Sequence, residues 1–529
     1  MSNCVIGIDV GTGSARAGVF DQHGTCLGVG KHPISLFVES GTIAEHSSAN
    51  IWQAVCQSVR MAMQEAEVSP DAIRGIGFDA ACSLVAVDAS VNADQDPARD
   101  VIVWMDHRAV AEAEEINAGD HAVLRYVGNR ISPEMQTPKL LWLKRHLPEA
   151  YASATHFMDL VDWLTWKATG DTSRSACTLT CKWTYLAHEN RWDSDYFHAI
   201  GLGDLADEGF IRIGTEVCQP GEALGTGLTT TAANDLGLSV GTIVGTGLID
   251  AHAGGVGTLG ATAIAGDVAT RLGYVFGTSA CTMTSSIAPV FVPGIWGPYS
   301  GAMVPGLWLN EGGQSAAGAA IDHLIAMHPA REQAKQQADK AGHSIPEYLS
   351  AQAMRETSDL SAIIQRADGV VVIPDFNGNR APFADPHARG IIAGLGLETS
   401  IDSLVTLYVA GLSGIACGLR QIIETQQKHG LTTEAIVVSG GAGADPLAQQ
   451  IIADTTGLPV LVPEADEPVL LGAAMLGAVA CGLAGNLSDA MKAMSRFSRT
   501  VSPSVAAHSG AHSRRFDQYV ALQAAMRSE

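Results

Sequence analysis

The sequence has few basic residues for its length. Lys and Arg together number 32 against 55 Asp and Glu, so the chain of 529 residues carries a formal net charge of -23. A surplus of this size repels polyanions and leaves no electrostatic footprint for nucleic acid. We therefore expect no nucleic-acid partner, and any anionic ligand must be held by a local site.

Cysteine pairs at metal-binding or redox spacing are also missing. The ten cysteines are scattered, and the closest two, Cys177 and Cys181, do not have the C-x-x-C spacing. We interpret all ten as structural thiols, because free cysteine is readily buried. The sequence also lacks a G-x-x-x-x-G-K-[ST] loop, so a P-loop nucleotide site is not expected.

Segments typical of secretion or membrane insertion are lacking as well. No basic region precedes the first apolar run, and Asp9 interrupts that run, so we expect no secretory signal and a cytoplasmic location. Residues 468–488 carry no charge and reach the length of a bilayer span. They are mostly Gly and Ala and begin with Pro468, which favours a tightly packed helix inside the protein and no membrane partner.

The length and the order of predicted elements indicate two similar halves. A chain of 529 residues is too long for one ordinary core. Two strand-like runs, 4–10 and 15–21, flank a Gly-Thr-Gly-Ser turn and predict a β-hairpin, and a helical pattern follows at 48–67. Further strand-like runs lie at 75–80, 272–283, 370–376 and 435–441. We predict an α/β protein with domains at 1–257 and 258–488, and a locally basic tail at 489–529 whose final helix begins at Arg514.

Two glycine-rich turns are candidates for phosphate binding. The first follows Asp9 and comprises Gly11, Thr12, Gly13 and Ser14, whose backbone N–H groups can approach a phosphate. It is not a dinucleotide fingerprint, because Arg16 stands at the third glycine position. An ordinary hairpin turn is the alternative. FGTSACTM (276–283) repeats the arrangement with Gly277 and Thr278, and a pair of such loops facing a cleft is what an actin-like ATPase core requires.

The third motif, SGGAGADPLAQQ (439–450), indicates a nucleoside site. A strand ends in small residues, Gly440, Gly441 and Ala442, before Asp445 and a proline start a helix. Small residues leave room for a flat ring to lie on the backbone, which suits adenosine. A strand-to-helix connection without a ligand is the alternative.

The fourth motif, GTGLIDAHAGGVG (245–257), places Asp250 in a small, apolar run. Burial there would raise the pKa of its carboxyl group and poise it as a general base. The alternative is a structural Asp that caps a helix starting at Ala251. We interpret His252 as structural rather than catalytic.

These four motifs, in the order in which they stand along the chain, resemble the FGGY family of carbohydrate kinases from about residue 4 to residue 485. The resemblance implies two ribonuclease H-like (actin-like) domains with ATP in the cleft between them and Asp250 as the catalytic base. It also implies that Asp9 organises Mg²⁺. The implied phosphate contacts are Gly11, Thr12, Gly13, Ser14, Gly277 and Thr278, and the implied adenosine contacts are Gly440, Gly441, Ala442 and Asp445. The stretch 376–390, with Arg380, Asp385 and Arg389, is similar to a second-domain stretch of the family.

Within the family the chain looks most like the ribulokinases. The matching stretches are DAACSL (79–84), TCKWTY (180–185) and NEGGQSAAG (310–318). They imply a sugar site formed by Ala81, Lys182, Asp250 and Glu311, with Gln314 near the nucleotide. A surface Lys182 and a helix-capping Glu311 are the alternatives. The stretch 135–146 matches the family only loosely, and WMDHRA (104–109) maps onto no single substrate.

The resemblance implies that a small sugar or polyol is phosphorylated at its terminal hydroxyl by ATP. D-Ribulose, giving D-ribulose 5-phosphate, is the first choice, and L-ribulose, D-xylulose, ribitol and glycerol are the alternatives. A homodimer is expected from the family alone. Two other functions use the same fold, namely a chaperone-like ATPase and a sugar sensor without turnover.

Overall fold

The computed structural model describes residues 3–39, 42–262, 266–355, 359–504 and 509–527. Its strands are β1 (Cys4–Val10), β2 (Ser14–Asp21), β3 (Cys26–Pro33), β4 (Phe37–Val38), β5 (Ala44–His46), β6 (Ile73–Ala80), β7 (Leu84–Val87), β8 (Val101–Ile102), β9 (His156–Asp159), β10 (Arg174–Ser175), β11 (Val217–Cys218), β12 (Ile243–Ile249), β13 (Arg271–Phe276), β14 (Ala280–Ser286), β15 (Trp296–Ser300), β16 (Trp308–Gln314), β17 (Val371–Ile373), β18 (Ile391–Ala393), β19 (Ala435–Ser439), β20 (Val460–Pro463) and β21 (Phe497–Val501).

The helices surround these strands. They are α1 (Ser48–Ala66), α2 (Val110–Asn117), α3 (Gln136–His146), α4 (Pro148–Ser153), α5 (Leu160–Thr169), α6 (Ala176–Lys182), α7 (Ser194–Ala199), α8 (Gly203–Asp207), α9 (Thr230–Leu236), α10 (Asp250–Leu259), α11 (Gly318–Met327), α12 (Arg331–Ala341), α13 (Ile345–Ala353), α14 (Ile401–Lys428), α15 (Pro446–Thr456), α16 (Pro468–Ala480), α17 (Leu487–Met494) and α18 (Ser509–Arg527).

The first large sheet has the strand order β12-β6-β1-β2-β3. Strands β1 and β2 form the predicted antiparallel hairpin, and β1, β6 and β12 run parallel. All seven residues of β1 are buried, as expected for a central strand with both faces covered. A smaller antiparallel sheet, β4-β5-β8-β7-β9, lies in the same half. Because the parallel strands end at one edge, residues that follow them are brought together.

The second large sheet repeats this arrangement. Its order is β15-β16-β14-β13-β19-β20-β21, in which β13 and β14 form a hairpin and β13, β19 and β20 run parallel. We call the half built on the first sheet lobe 1 and the half built on the second sheet lobe 2. The predicted α/β class with two such domains is confirmed. The boundaries 1–257, 258–488 and 489–529 stay predictions, and residue 257 itself lies inside α10.

Helix α16 comes from the second half of the chain yet packs across β1, β6 and β12 of the first sheet. Glycine allows this close approach. A Cβ atom on Gly7 would lie 1.9 Å from the carbonyl oxygen of Leu470, and one on Gly77 would lie 1.9 Å from that of Ala473. The uncharged segment 468–488 thus contains a core helix that ends at Ala480. Helix α14 is long and apolar enough to cross a membrane, but 78% of its most apolar stretch is buried inside the protein.

The tail is more structured than the sequence predicts. Strand β21 pairs with β20 at the edge of the second sheet, and α18 begins at Ser509 rather than at Arg514. The buried Arg515 donates to the carbonyl oxygens of Ala367 and Val370, which fixes α18 against lobe 2. Residues 505–508 of the predicted tail lie outside the described residues.

Candidate active site

Three aspartates meet at one edge of the first sheet. Asp9 lies near the end of β1 and pairs in register with Asp79 near the end of β6. Asp250 directly follows β12, the next parallel strand, as the first residue of α10. Each carboxylate therefore stands where a buried strand reaches the edge of the sheet, which is where ligands bind in α/β folds.

The charges at this edge are incompletely balanced. Arg16, opposite Asp9 in the hairpin, donates from Nε to Asp9 Oδ2 at 2.8 Å and from Nη1 to Glu467 Oε2 at 2.7 Å. Asp79 is fully buried, and neither of its oxygens accepts a hydrogen bond from a described N–H group. Its pKa is raised well above the usual range by burial and by the neighbouring Asp9 and Asp250 carboxylates.

This acidic edge fits a hard divalent cation. Asp79 offers carboxylate oxygens that no N–H group of the described residues occupies, and Asp9 presents a carboxylate beside it. Oxygen ligands of this kind are what Mg²⁺ prefers. Sequence reasoning proposed Asp9 but missed Asp79. The signal was available, because β6 ends in Gly-Phe-Asp-Ala just as β1 ends in Gly-Ile-Asp-Val.

Asp250 lies in a setting that suits a general base. Its oxygen Oδ1 accepts the N–H of Ala251 at 2.7 Å, while Ile249 occupies the N-cap position of α10. Burial, and then the charge of Asp9, raise the pKa of Asp250 to about 6. The side chain keeps partial exposure. A carboxylate with such a pKa is ionised at neutral pH and is still basic enough to take a proton.

A backbone hydrogen bond from the first glycine closes each of the two glycine-rich turns. In the first, Gly11 N–H donates to Ser14 O at 3.1 Å, and Thr12 Oγ1 accepts from Trp104 Nε1 at 2.9 Å. In the second, Gly277 N–H donates to Ser279 O at 3.0 Å. Each turn follows the first strand of its sheet's hairpin, so the two lobes present equivalent loops.

A cavity of about 720 Å³ lies in lobe 2, and we call it cavity A. Its lining includes five of the residues assigned to ATP from sequence, namely Gly277, Thr278, Gly441, Ala442 and Asp445. Gly440 adopts φ of +88° beside it, a backbone conformation that favours glycine.

Two residues assigned to the nucleotide have structural partners. Asp445 accepts hydrogen bonds from Ser350 Oγ at 2.8 Å and from Tyr408 OH at 3.0 Å, so its carboxylate shapes the wall of cavity A. Gln314 is buried. It accepts from Tyr274 OH at 2.6 Å and donates to Ile415 O at 3.0 Å, and its place near the nucleotide stays a prediction.

A second cavity, of about 340 Å³, lies between the lobes, and we call it cavity B. Glu311, Trp296 and Arg380 line it from lobe 2, and residues 130–133 line it from lobe 1. Cavity B reaches Ser315 and cavity A reaches Gly318, so the two flank the segment that joins β16 to α11. This volume falls in the range of small-molecule sites.

The other polar members of the 376–390 stretch have local roles. Asp385 accepts from the backbone N–H of His387 at 2.9 Å and pairs with Arg527 of α18 at 3.5 Å. The exposed Arg389 donates to the carbonyl oxygen of Ala388 at 2.8 Å. Arg380 is the member that reaches cavity B.

The residues assigned to the sugar stand near Asp250. Ala81 follows β6 and donates its N–H to Val10 O at 2.9 Å, which places it beside the end of β1. Lys182 ends α6, and Glu311 lies in β16 rather than at a helix start. Burial opposes the charged form of Lys182, but Cys82, Glu134 and Glu311 outweigh it and raise its pKa.

Glu311 has a partner that sequence reasoning treated as structural only. Its Oε1 lies 3.0 Å from Nε2 of His252, two residues beyond Asp250. Burial would raise the pKa of Glu311, but the charges of His252 and Lys182 outweigh it and lower the pKa. The Glu311 carboxylate is therefore ionised beside Lys182, which suits hydrogen bonding to sugar hydroxyls.

The WMDHRA stretch supports lobe 1 rather than selecting a substrate. Trp104 holds the first glycine-rich turn through Thr12, as described above. Arg108 pairs with Asp106 at 2.7 Å and with Glu45 at 2.6 Å, and all three side chains are nearly fully buried. This network gives Asp106 and Arg108 a structural role in lobe 1.

Comparison with known proteins gives matches over both lobes. The N-terminal domain of the FGGY family of carbohydrate kinases matches residues 4–257, and the C-terminal domain of that family matches residues 272–481. An FGGY carbohydrate kinase domain-containing protein of Danio rerio is 44% identical over 512 residues, covering 94% of this chain and 93% of the relative.

Two further matches concern named activities. A D-ribulokinase of Saccharomyces cerevisiae is 39% identical over 514 residues, covering 90% of this chain and 71% of the relative. The crystal structure of a xylulose kinase from Rhodospirillum rubrum matches with a TM-score of 0.80 and 22% identity over 99% of both chains. At that identity the structural match establishes the fold.

Proposed function

Because the chain belongs to the FGGY family of carbohydrate kinases and is a sugar kinase, we propose that it phosphorylates the terminal hydroxyl of D-ribulose, with Asp250 as the general base. Kinases of this family use ATP. The proposal therefore concerns the substrate, the base and the residues that hold each ligand.

The position of Asp250 carries the proposal. It stands between the acidic edge formed with Asp9 and Asp79 and the sugar group formed with Lys182 and Glu311. The charges that act on its carboxylate come from both sides, from Asp9 on one and from His252 and Lys182 on the other. A base at this position can take the proton of a sugar hydroxyl that lies next to a phosphate group.

The chemistry follows from this placement. Adenosine would lie in cavity A against Gly441 and Ala442, with the phosphates reaching toward the two glycine-rich turns. Asp250 takes the proton of the terminal sugar hydroxyl while that oxygen bonds to the γ-phosphorus, and the bond from phosphorus to the ADP oxygen breaks. Backbone N–H groups of the turns would stabilise the charge that spreads over the transferred group.

Asp9 and Asp79 would hold the magnesium ion. When bound, Mg²⁺ neutralises charge on the phosphate oxygens. Closure of the two lobes around cavity B would exclude water, which could otherwise accept the phosphoryl group in place of the sugar.

Two considerations support D-ribulose as the first choice. The D-ribulokinase relative covers 90% of this chain at 39% identity. A short open-chain ketose also needs several fixed hydrogen bonds to present one hydroxyl, and Lys182, Asp250 and Glu311 provide a cation and two carboxylates. When a substrate lacks a hydroxyl, a charged group of the site is left unpaired, and this costs more binding free energy than the loss of a methylene contact. Such a site can therefore discriminate strongly between sugars.

The test is ADP release with and without D-ribulose, with the product identified by NMR. We expect release to depend on the sugar and the product to carry phosphate on the terminal carbon. ADP release that does not depend on any sugar would instead indicate an ATPase on this fold. Sugar binding without ADP release would indicate a sensor.

A further inference from the structure

We propose that His252 is a positioning residue for the sugar site, joining Cys177 of lobe 1 to Glu311 of lobe 2 and thereby holding the Glu311 carboxylate in place. This inference rests on the proposed function, because it assumes that Glu311 contacts the sugar. Neither His252 nor Cys177 has a part in the chemistry described above.

The three side chains form a continuous line. Cys177 Sγ lies 3.0 Å from Nδ1 of His252, and Nε2 of His252 lies 3.0 Å from Oε1 of Glu311. Cys177 is fully buried and His252 is 1% exposed, whereas the Glu311 side chain is 21% exposed and lines cavity B. The line therefore runs from the interior of lobe 1 to the surface that would meet the sugar.

The geometry supports an ion triad. The proton of Cys177 moves from Sγ to Nδ1 of His252, so the ring carries a hydrogen on both nitrogens and donates in both directions. The thiolate also receives the N–H of Ile249 at 3.4 Å and a hydrogen bond from Cys181. With these donors a buried thiolate is not left unsatisfied.

The surrounding charges agree with that arrangement. Burial opposes ionisation of Cys177, yet Cys181 and His252 outweigh it and lower the pKa of the thiol to about 6. Burial also opposes a charged His252, but Cys177 and Glu311 raise its pKa well above the usual range. Other titratable groups whose charges act on members of this triad are Asp159, Asp162, Cys181, Lys182, Asp250, Cys281, Tyr299 and Arg380.

The consequence concerns the freedom of Glu311. A glutamate side chain has several rotamers, and fixing one of its oxygens on an imidazolium leaves the other oriented toward cavity B. Cys181, His252 and Glu311 also present ligand-type atoms within 4.8 Å of one another. A doubly protonated His252 ring has no lone pair for a metal, so Cys181, His252 and Glu311 do not form a cation site. The ring instead positions Glu311.

The test compares two substitutions of His252, each of which keeps one of the two hydrogen bonds that the ring makes. In His252→Gln the amide nitrogen can still reach Glu311, whereas in His252→Asn it reaches only toward Cys177. We expect His252→Asn to raise the KM for D-ribulose by about tenfold or more with the KM for ATP changed by less than about twofold. His252→Gln should recover most of that loss.

Cys177→Ser provides a second and independent readout. Without the thiolate, His252 should lose its extra proton as the pH rises, so the KM for D-ribulose should climb between about pH 6 and about pH 9 while the wild type stays flat. The thiolate absorbance in the ultraviolet should disappear in this variant. Cys56→Ser is the matched control, because Cys56 is a buried helical thiol of lobe 1 whose pKa burial raises to about 12.

The outcomes separate the inference from the proposed function. Equal rises in the KM for ATP and for D-ribulose in His252→Asn, or no rise in either, would overturn the positioning role. If His252→Asn does not fold, a flat pH dependence in Cys177→Ser has the same force. Glu311→Gln is measured alongside. If Glu311→Gln raises the KM for D-ribulose and His252→Asn does not, only the positioning role of His252 fails. If Glu311→Gln leaves that KM unchanged, both the positioning role of His252 and the proposed contact of Glu311 with the sugar fail.

Discussion

Replacement of Asp250 by Asn should lower turnover and raise stability at the same time. The amide keeps the shape of the side chain, and its oxygen can still accept the N–H of Ala251. It cannot take a proton from the sugar. Loss of a general base of this kind costs about 10²-fold to 10⁴-fold in kcat, or roughly 3 to 5 kcal/mol of transition-state stabilisation.

The stability change follows from the pKa of Asp250. Burial, and then the charge of Asp9, raise its carboxyl pKa from 3.8 to about 6 in the folded protein. A raised pKa means that folding favours the neutral form, so this stabilisation is present below about pH 4 and is lost as the pH rises through about 6. At about pH 8 the ionised group costs up to about 3 kcal/mol, and Asn removes that cost.

Three measurements check this prediction. Steady-state ADP release with D-ribulose gives kcat, calorimetry gives the ATP affinity, and urea unfolding at about pH 5 and about pH 8 gives the free energy of unfolding. The wild-type kcat should rise through about pH 6 as Asp250 ionises, and the residual activity of the variant should not. Asp207→Asn, at an exposed carboxylate that ends α8, is the control. Near-normal turnover of Asp250→Asn would remove this residue from the mechanism.

Three further sets of substitutions test separate parts of the structure. Gly441→Val should raise the KM for ATP far more than the KM for the sugar, because an added side chain meets open space in cavity A where adenosine would lie; an equal change in both constants would contradict that placement. Lys182→Ala and Glu311→Ala should each raise the KM for D-ribulose by about tenfold with little effect on ATP, which the same assay measures; a larger effect on the KM for ATP would place these residues elsewhere. Gly77→Ala should lower the free energy of unfolding by about 1 to 3 kcal/mol or more, because its Cβ would lie 1.9 Å from Ala473 O, whereas Gly13→Ala, with no atom within 4 Å of the added Cβ, should change it little.

The sequence predicted those features that depend on local patterns. Asp9 and Asp250 could be singled out because each is an acid that interrupts an apolar run. Asp79 was missed although its strand ends in the same way. Its importance depends on β6 lying between β1 and β12, and this pairing joins segments that are distant in the chain.

Other features could not be predicted from the sequence because they depend on packing between segments that are distant in the chain. The uncharged run that became α16 predicted a buried helix but not its position across the first sheet, and the role of Gly7 and Gly77 emerges only from that contact. The pairing of His252 with Glu311 joins α10 to β16 across the two lobes. The hydrogen bonds of Gln314 to Tyr274 and Ile415 inside lobe 2 also join segments that are distant in the chain.

The preference of this kinase for D-ribulose can be measured by comparing kcat/KM across five substrates. D-Ribulose, L-ribulose, D-xylulose, ribitol and glycerol would be compared in one coupled assay with saturating ATP and Mg²⁺. We expect the highest kcat/KM for D-ribulose, since Lys182, Asp250 and Glu311 together can pair with its hydroxyl groups. A kcat/KM for glycerol above that of every pentulose would refute D-ribulose as the preferred substrate.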